Sequence, residues 1–322
     1  MTTDQFQIID AHVHLYRDTA TEKQALPIRG RRDRDRWGNL ERLIPYLDRE
    51  GISHVVALNL FPTGLLRRLM TAKLPNSLSG DALANAQLRI EQDLADRMRQ
   101  QNEWLCRAAQ AEPRIVAGVG IQKLLSPSEM ADEVRLRASQ GARGVKLIPG
   151  WYHEFPNDRA FWPMYEACQE LGITVTSDTG ALGLGRHMSH PDDDNTICYG
   201  EPILFDDVLE AFPRLKLVMC HFGSAFWDQR VALAQRFENL YFDISGGFQA
   251  RGFTARDGDR ALGEADAVRV MRTAGIDRMM FGSDGPHVMV QPALEQFFRL
   301  DLSDEERRMI LSETARRVYG VP

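Results

Sequence analysis

His12 and His14 stand two residues apart, and Asp10 lies two residues before them, in the run QIIDAHVHL at 7–15. The run reads as a strand, and strand side chains alternate faces. The spacing predicts Asp10, His12 and His14 on one face, with Ala11, Val13 and Leu15 on the other. Two imidazoles so placed can bind a single metal ion, and an aspartate on their face can orient one ring through its second nitrogen. The plainer reading is a strand with two half-buried histidines and a structural aspartate, and an isolated H-x-H would favour it. Here three polar groups enter one interior together, and burying them without a function is costly.

Side chains of the same kind recur at other strand ends. The run at 216–221 closes on His221, with Leu217, Met219 and His221 predicted on one face. The run from 278 leads to Asp284, the run at 173–178 ends on Asp178 with Thr174 and Thr176 on its face, and Lys146 sits within 144–148. Each residue alone is weak. A lone strand-end aspartate is more often a turn residue or cap, and a lone lysine is usually solvated. Their joint pattern carries the argument.

The elements that must position these residues alternate along the chain. Strands are predicted at 8–15, 54–59, 114–122, 144–148, 173–178, 216–221, 240–245 and 278–283. Helices are predicted at 40–50, 81–111, 127–139, 159–171, 206–212, 226–237, 261–274, 291–298 and 304–319. Ser126-Pro127 and Ser303-Asp304 read as helix starts, and Gly172 and Gly275 as helix ends. Eight strands, each followed by a helix, imply parallel pairing and a closed (β/α)8 barrel as one domain over 1–322. A doubly wound open sheet would want a glycine-rich turn after its first strand, and none follows Leu15. Long loops at 16–39, 61–80 and 180–204 follow strand C-terminal ends, where barrel enzymes build their sites.

Bulk composition narrows the classes. The 322 residues are 43% hydrophobic and 26% charged, with a formal net charge of −6. That mild acidity argues against nucleic-acid binding, and no apolar run is long enough to span a bilayer. The start MTTDQFQ lacks a secretory layout, so a cytoplasmic protein is expected. Cys106, Cys168, Cys198 and Cys220 show no C-x-x-C spacing and read as reduced thiols.

Six segments, IIDAHVHL, GARGVKLIPGWYHEFPNDRAFWPMYEACQELGITV, FPRLKLVMCHFG, LYFDISG, DRMMFGSDGPH and ILSETARRVYGVP, span nearly the whole chain. In content and order the chain resembles the amidohydrolase superfamily, in particular its amidohydrolase-related branch of decarboxylases and lactonases. The resemblance implies a distorted (β/α)8 TIM barrel with a divalent metal at the C-terminal mouth. It implies that His12, His14 and Asp284 are ligands, and that His221 is either a ligand or the acid/base.

Three departures bear on that expectation. Asp178 stands where the family usually places histidine, Ile148 where a histidine is common, and Thr314 where an asparagine is normal. A carboxylate at Asp178 is still a competent ligand, and it moves preference from zinc towards iron or manganese. One or two metal ions per chain are expected. Lys146 can assist if carbamylated, as in some relatives, but an interior lysine paired with Asp178 or with substrate ranks higher.

Secondary candidates are Asp243 and Ser245 on one face of the seventh strand, and Trp151, Tyr152 and His153 as a pocket wall. In the loop that carries His187, His190 and the run Asp192, Asp193 and Asp194, one of the histidines could reach a second metal, and the arginine-rich stretch 30–37 could meet an acidic substrate. For both, a solvated surface is the better reading. The loop with Leu65, Leu66, Leu69, Met70 and Leu74 suggests a lid over an apolar substrate, or a subunit contact in a homodimer.

The function expected first is a metal-dependent hydrolase or decarboxylase of a small organic acid, with His221 as proton shuttle and Asp284 holding metal or water. The second is a non-haem iron or di-iron oxygenase, motivated by Asp178 and the apolar loop. The third is a barrel that binds a ligand without chemistry, and the presence of His12, His14, His221 and Asp284 together argues against it.

Overall fold

Eight short apolar runs pair in chain order, every neighbour parallel. They are β1 Ile8–Val13, β2 Ile52–Leu58, β3 Ile115–Gly120, β4 Gly144–Leu147, β5 Thr174–Asp178, β6 Leu217–Cys220, β7 Leu240–Asp243 and β8 Met279–Met280. This computed structural model describes residues 5–25, 37–180, 198–223, 226–246 and 262–322. His187, His190, Asp192, Asp193, Asp194 and the stretch 30–36 lie outside the described residues. The seam between β8 and β1 is carried by backbone bonds: Ala11 N–H to Phe281 O (2.9 Å), Asp284 N–H to His12 O (2.9 Å) and His14 N–H to Gly285 O (2.6 Å). With helices between the strands, the architecture is the expected TIM barrel.

Local chemistry starts and stops the helices as predicted. Ser126 and Ser303 each close a capping box, with Glu129 and Glu306 respectively, at the heads of Pro127–Ser139 and Asp304–Arg308. These reciprocal bonds satisfy N–H groups the first turn leaves open. The terminal helix departs from one regular run: Met309–Glu313 forms a π turn between Asp304–Arg308 and Thr314–Tyr319. There the Ile310 carbonyl accepts from Phe281 N–H at 2.8 Å. The apolar loop after β2 is also not a loop. Thr63–Thr71 is a helix, with Leu65 and Leu69 exposed and Leu66 and Met70 packed on the core.

Side chains at paired positions of neighbouring strands share a face, so the register sorts them into two layers. Ile9, Ala11, Val56, Val116, Val218 and Met280 cluster inside the barrel with Val318 and Tyr319 of the terminal helix. Ile8, Val13, Val55, Leu217 and Met219 pack outward with the helices. Each buried Val, Leu, Ile or Met among them stabilises the fold by about 1.5–3 kcal/mol. Tyr319 Oη meets Thr176 Oγ1 at 2.5 Å, and Thr174 Oγ1 donates to Val318 O at 2.9 Å. The terminal helix thus fills the bottom of the barrel, and the polar inward positions lie above it.

Two predicted faces are corrected by this register. Between Asp10 and Val13 the strand gains a residue against Val55 and Ala57 of β2. That bulge breaks the simple alternation. Asp10 pairs with outward Val55 while Ala11 joins the interior cluster. On β6, Leu217 and Met219 face outward, whereas Val218 and Cys220 pair with inward Thr176 and Asp178. His221 therefore does not share a face with Leu217 and Met219. It turns back because its backbone leaves the strand at φ 62°.

Candidate metal centre

His12 and His14 bring their Nε2 atoms to 3.7 Å and 3.2 Å from the same oxygen, Asp284 Oδ1. The bulge in β1 and the β8–β1 seam produce this convergence. His12 Nδ1 donates to Asp243 Oδ2 at 2.8 Å, and His14 Nδ1 donates to the Leu58 carbonyl at 2.8 Å. Both acceptors are buried, so each ring keeps its proton on Nδ1 and its lone pair on Nε2. Ligand atoms about 2.0–2.1 Å from a tetrahedral ion sit roughly 3.3–3.4 Å apart, near the separations seen here. Burial, then the charge of Lys146, lowers the His12 pKa and keeps the ring neutral. The residues present fit a divalent ion.

Asp10 has another job than the one its spacing suggested. Its Oδ1 accepts from the backbone N–H of Ser283 (2.9 Å) and of His12 (3.2 Å). It ties β1 to the end of β8 rather than orienting a ring. Burial, against those hydrogen bonds, raises its pKa to about 7.

On the other side of His12 lie His221, Asp178, Lys146 and Cys220. The His12 and His221 rings stack with centroids 5.3 Å apart. His221 Nδ1 donates to Ser245 O at 3.2 Å, and its Nε2 is 3.5 Å from Asp178 Oδ1. Burial alone would lower the His221 pKa, but the bond to Asp178, with the charges of Asp178, Asp284 and Asp243, carries it up to about 9. Asp178 Oδ1 also accepts from the Lys146 ammonium. Burial opposes ionisation of Asp178, but Lys146 and the imidazoles hold its carboxyl well below the usual range. The lysine is fully buried, as the interior-pair reading expected.

His221 and Asp284 both adopt left-handed backbone, at φ 62° and 63°. Such conformations are uncommon away from glycine and cost of order ~1–3 kcal/mol in sparsely populated regions. Gly282 leaves room for the site: a Cβ there would come within 2.8 Å of His12 Cβ.

Sequence reasoning undervalued three side chains. Asp243 holds His12, and Ser245 Oγ lies 3.1 Å from His12 Nδ1 and 3.0 Å from His221 Nδ1. Cys220 Sγ sits 3.3 Å from Lys146 Nζ. The LYFDISG segment was the available signal for the first two; nothing marked Cys220 beyond its inward register. Trp151, Tyr152 and His153 line a cavity of about 370 Å³ with Gly64, Arg67 and Thr71, so the helix Thr63–Thr71 and this wall do meet.

A family model described as Amidohydrolase matches residues 9–321. The solved 2,6-dihydroxybenzoate decarboxylase from Rhizobium aligns with a TM-score of 0.69 at 14% identity, covering 98% of this chain and 99% of that one. A dihydroxybenzoic acid decarboxylase from Polaromonas, solved with manganese and the inhibitor 2-nitroresorcinol, aligns at 0.67 and 14% identity, covering 98% and 97%. A candidate 2-pyrone-4,6-dicarboxylic acid hydrolase from Pseudomonas putida aligns at 0.58 and 19% identity, covering 98% of each. No curated protein matches in sequence. Among the described residues, no helix is long and apolar enough to cross a membrane.

Proposed function

The chain belongs to the amidohydrolase family, and from that premise we propose that it is a metal-dependent hydrolase or decarboxylase of a small organic acid. The convergence of His12 Nε2, His14 Nε2 and Asp284 Oδ1, with both ring tautomers fixed from behind, carries the reading. These three residues would hold the ion. A divalent ion there supplies Lewis acidity.

The remaining roles follow from contacts. His221, anchored at Nδ1 by the Ser245 carbonyl, presents Nε2 to take up and return a proton. Asp178 orients that imidazole and stabilises its charged form. Asp178 is also a candidate ligand: its Oδ1 lies beside Lys146 and His221, and with His12 and Cys220 it offers donor atoms within 4.8 Å of one another. The oxygenase alternative leaned on Asp178 as a ligand, and no contact here favours it. The solved relatives named as acting on or binding dihydroxybenzoates, and the candidate pyrone hydrolase, suggest a carboxylated ring as substrate.

The test is elemental analysis of protein purified without chelator, followed by assays on carboxylated aromatic and lactone substrates. Wild type should carry a divalent metal, and His12→Ala should lose both metal and turnover while its circular dichroism stays that of a folded barrel. Wild type that turns over such a substrate with no metal at all would sink the proposal.

A further inference from the structure

We propose that a cavity at the N-terminal face of the barrel, opposite the candidate metal centre, binds a small organic phosphate, with its phosphate group between Arg143 and Lys216. The site shares no residue with the centre and does not rest on its reading.

The cavity has a volume of about 490 Å³, and Arg135, Arg143, Lys216 and Arg317 line it, with Leu171 and Ile173 among its apolar walls. Among the described residues no acidic one lines it. Arg143 and Lys216 directly precede β4 and β6, on either side of β5. The barrel ladder fixes both: Thr174 N–H donates to Arg143 O at 3.1 Å, and Val175 N–H donates to Lys216 O at 2.9 Å. The Arg143 guanidinium lies over the left-handed turn that ends the terminal helix, where a Cβ on Gly320 would meet its Nη1 at 2.9 Å. Lys216 Nζ donates to Val318 O of the same helix at 3.2 Å. One carbonyl takes one proton of the ammonium, so the others remain for a ligand.

The four cations differ in how they are compensated. Arg135 has Asp132 at 3.5 Å and Glu170 at 3.8 Å, and Arg317 has Asp277 at 3.9 Å, whereas among the described residues Arg143 and Lys216 have no carboxylate partner. Burial, then the charge of Arg143, lowers the Lys216 pKa. The two cations therefore act on each other with no anion between them. Like charges gathered in a concave site focus the field and draw in an anion of opposite sign. A phosphate monoester dianion matches the charge of the pair. The guanidinium supplies a planar fork and the ammonium a point charge, and both forms suit phosphate oxygens. The volume falls within the range of small-molecule pockets, roughly 300–1,000 Å³, and Leu171 and Ile173 give the organic part an apolar wall.

The experiment is isothermal titration calorimetry on the full-length protein at fixed ionic strength, with inorganic phosphate and then phenyl phosphate. Saturable binding of both is expected, tighter for phenyl phosphate. Arg143→Gln and Lys216→Gln should each weaken it roughly tenfold or more, the loss of a hydrogen bond to a charged group. Arg107→Gln makes the same charge change on an exposed helix position paired with Glu103, and should leave affinity unchanged; an equal loss there would mean diffuse attraction and overturns the proposal. A phosphate can also bind a metal ion, and His12→Ala separates the two sites. Binding kept in His12→Ala belongs to the basic cavity, whereas binding lost there and kept in both cavity variants overturns the proposal. No saturable binding to wild type overturns it outright, and inorganic phosphate bound as tightly as phenyl phosphate overturns the organic ester. Cavity variants that melt lower yet bind like wild type would reduce Arg143 and Lys216 to caps on helix carbonyls, and overturn it as well. Arg143 is an exposed side chain, so its variant carries the test if Lys216→Gln fails to fold.

Discussion

His12 Nδ1 and Asp243 Oδ2 face each other across the barrel interior at 2.8 Å, with side chains 1% and 0% exposed. The pair fixes which nitrogen of His12 is available. In Asp243→Asn the amide can donate to Nδ1, which places the proton on Nε2 and removes the lone pair from the site. Metal affinity should fall roughly 10–100-fold, the range for lost outer partners of ligating histidines. Chelator competition measures it, and an affinity equal to wild type would reduce Asp243 to packing.

His221 gives a pH signature in the metal-free protein. The native imidazole keeps its proton up to about pH 9, whereas an unfolded histidine releases it near about 6.5. The native state therefore holds the extra proton between these values. Its stabilisation is complete below about pH 6.5 and is lost as pH rises through about 9, on the order of 3 kcal/mol in all. Urea denaturation across that window should show the decline in wild type, and His221→Gln should flatten it. In the metal-loaded enzyme, His221→Gln should keep its metal and lose turnover if the residue shuttles protons; lost metal would make it a ligand.

Gly282→Ala tests the space beside His12. The new Cβ would lie 2.8 Å from His12 Cβ and 3.2 Å from Ser245 Cβ, with backbone behind. The ring must shift, and overpacking of this kind costs about 1–3 kcal/mol. Both melting temperature and metal affinity should drop together. Unchanged metal affinity would mean His12 tolerates displacement.

Tyr319→Phe separates the bottom of the barrel from its mouth. It removes the hydroxyl bonded to Thr176 Oγ1 and leaves a buried group short of a partner, a loss of about 1–3 kcal/mol. Denaturation should show that loss while metal content stays unchanged. A change in metal content would mean that the plug also shapes the mouth.

The alternation of strands and helices was legible because hydrophobic period and capping residues are local properties. Ser126 and Ser303 cap helices where they were read as helix starts. His12, His14 and Asp284 were legible as residue types at strand ends. The extra residue of β1 was not, since a bulge is defined against a partner strand that the local sequence does not name. For the same reason Asp10 was assigned the ring contact that Asp243 makes. His221 was placed at the right depth on the wrong argument, because its left-handed turn is invisible to a period-two reading. The surroundings of Lys146 were not legible either, since the neighbours of its ammonium arrive from β1, β5 and β6.

The barrel seam also sets a timetable. Asp10 accepts from Ser283 across a separation of 273 positions, and His12 meets Asp284 only where that seam has closed. During translation the first histidines emerge long before their carboxylate partner, and Tyr319 follows later still. A nascent chain presents two histidines without Asp284, so the full ligand set belongs to the completed barrel. On the proposed reading, the three ligands converge only once the barrel seam has closed.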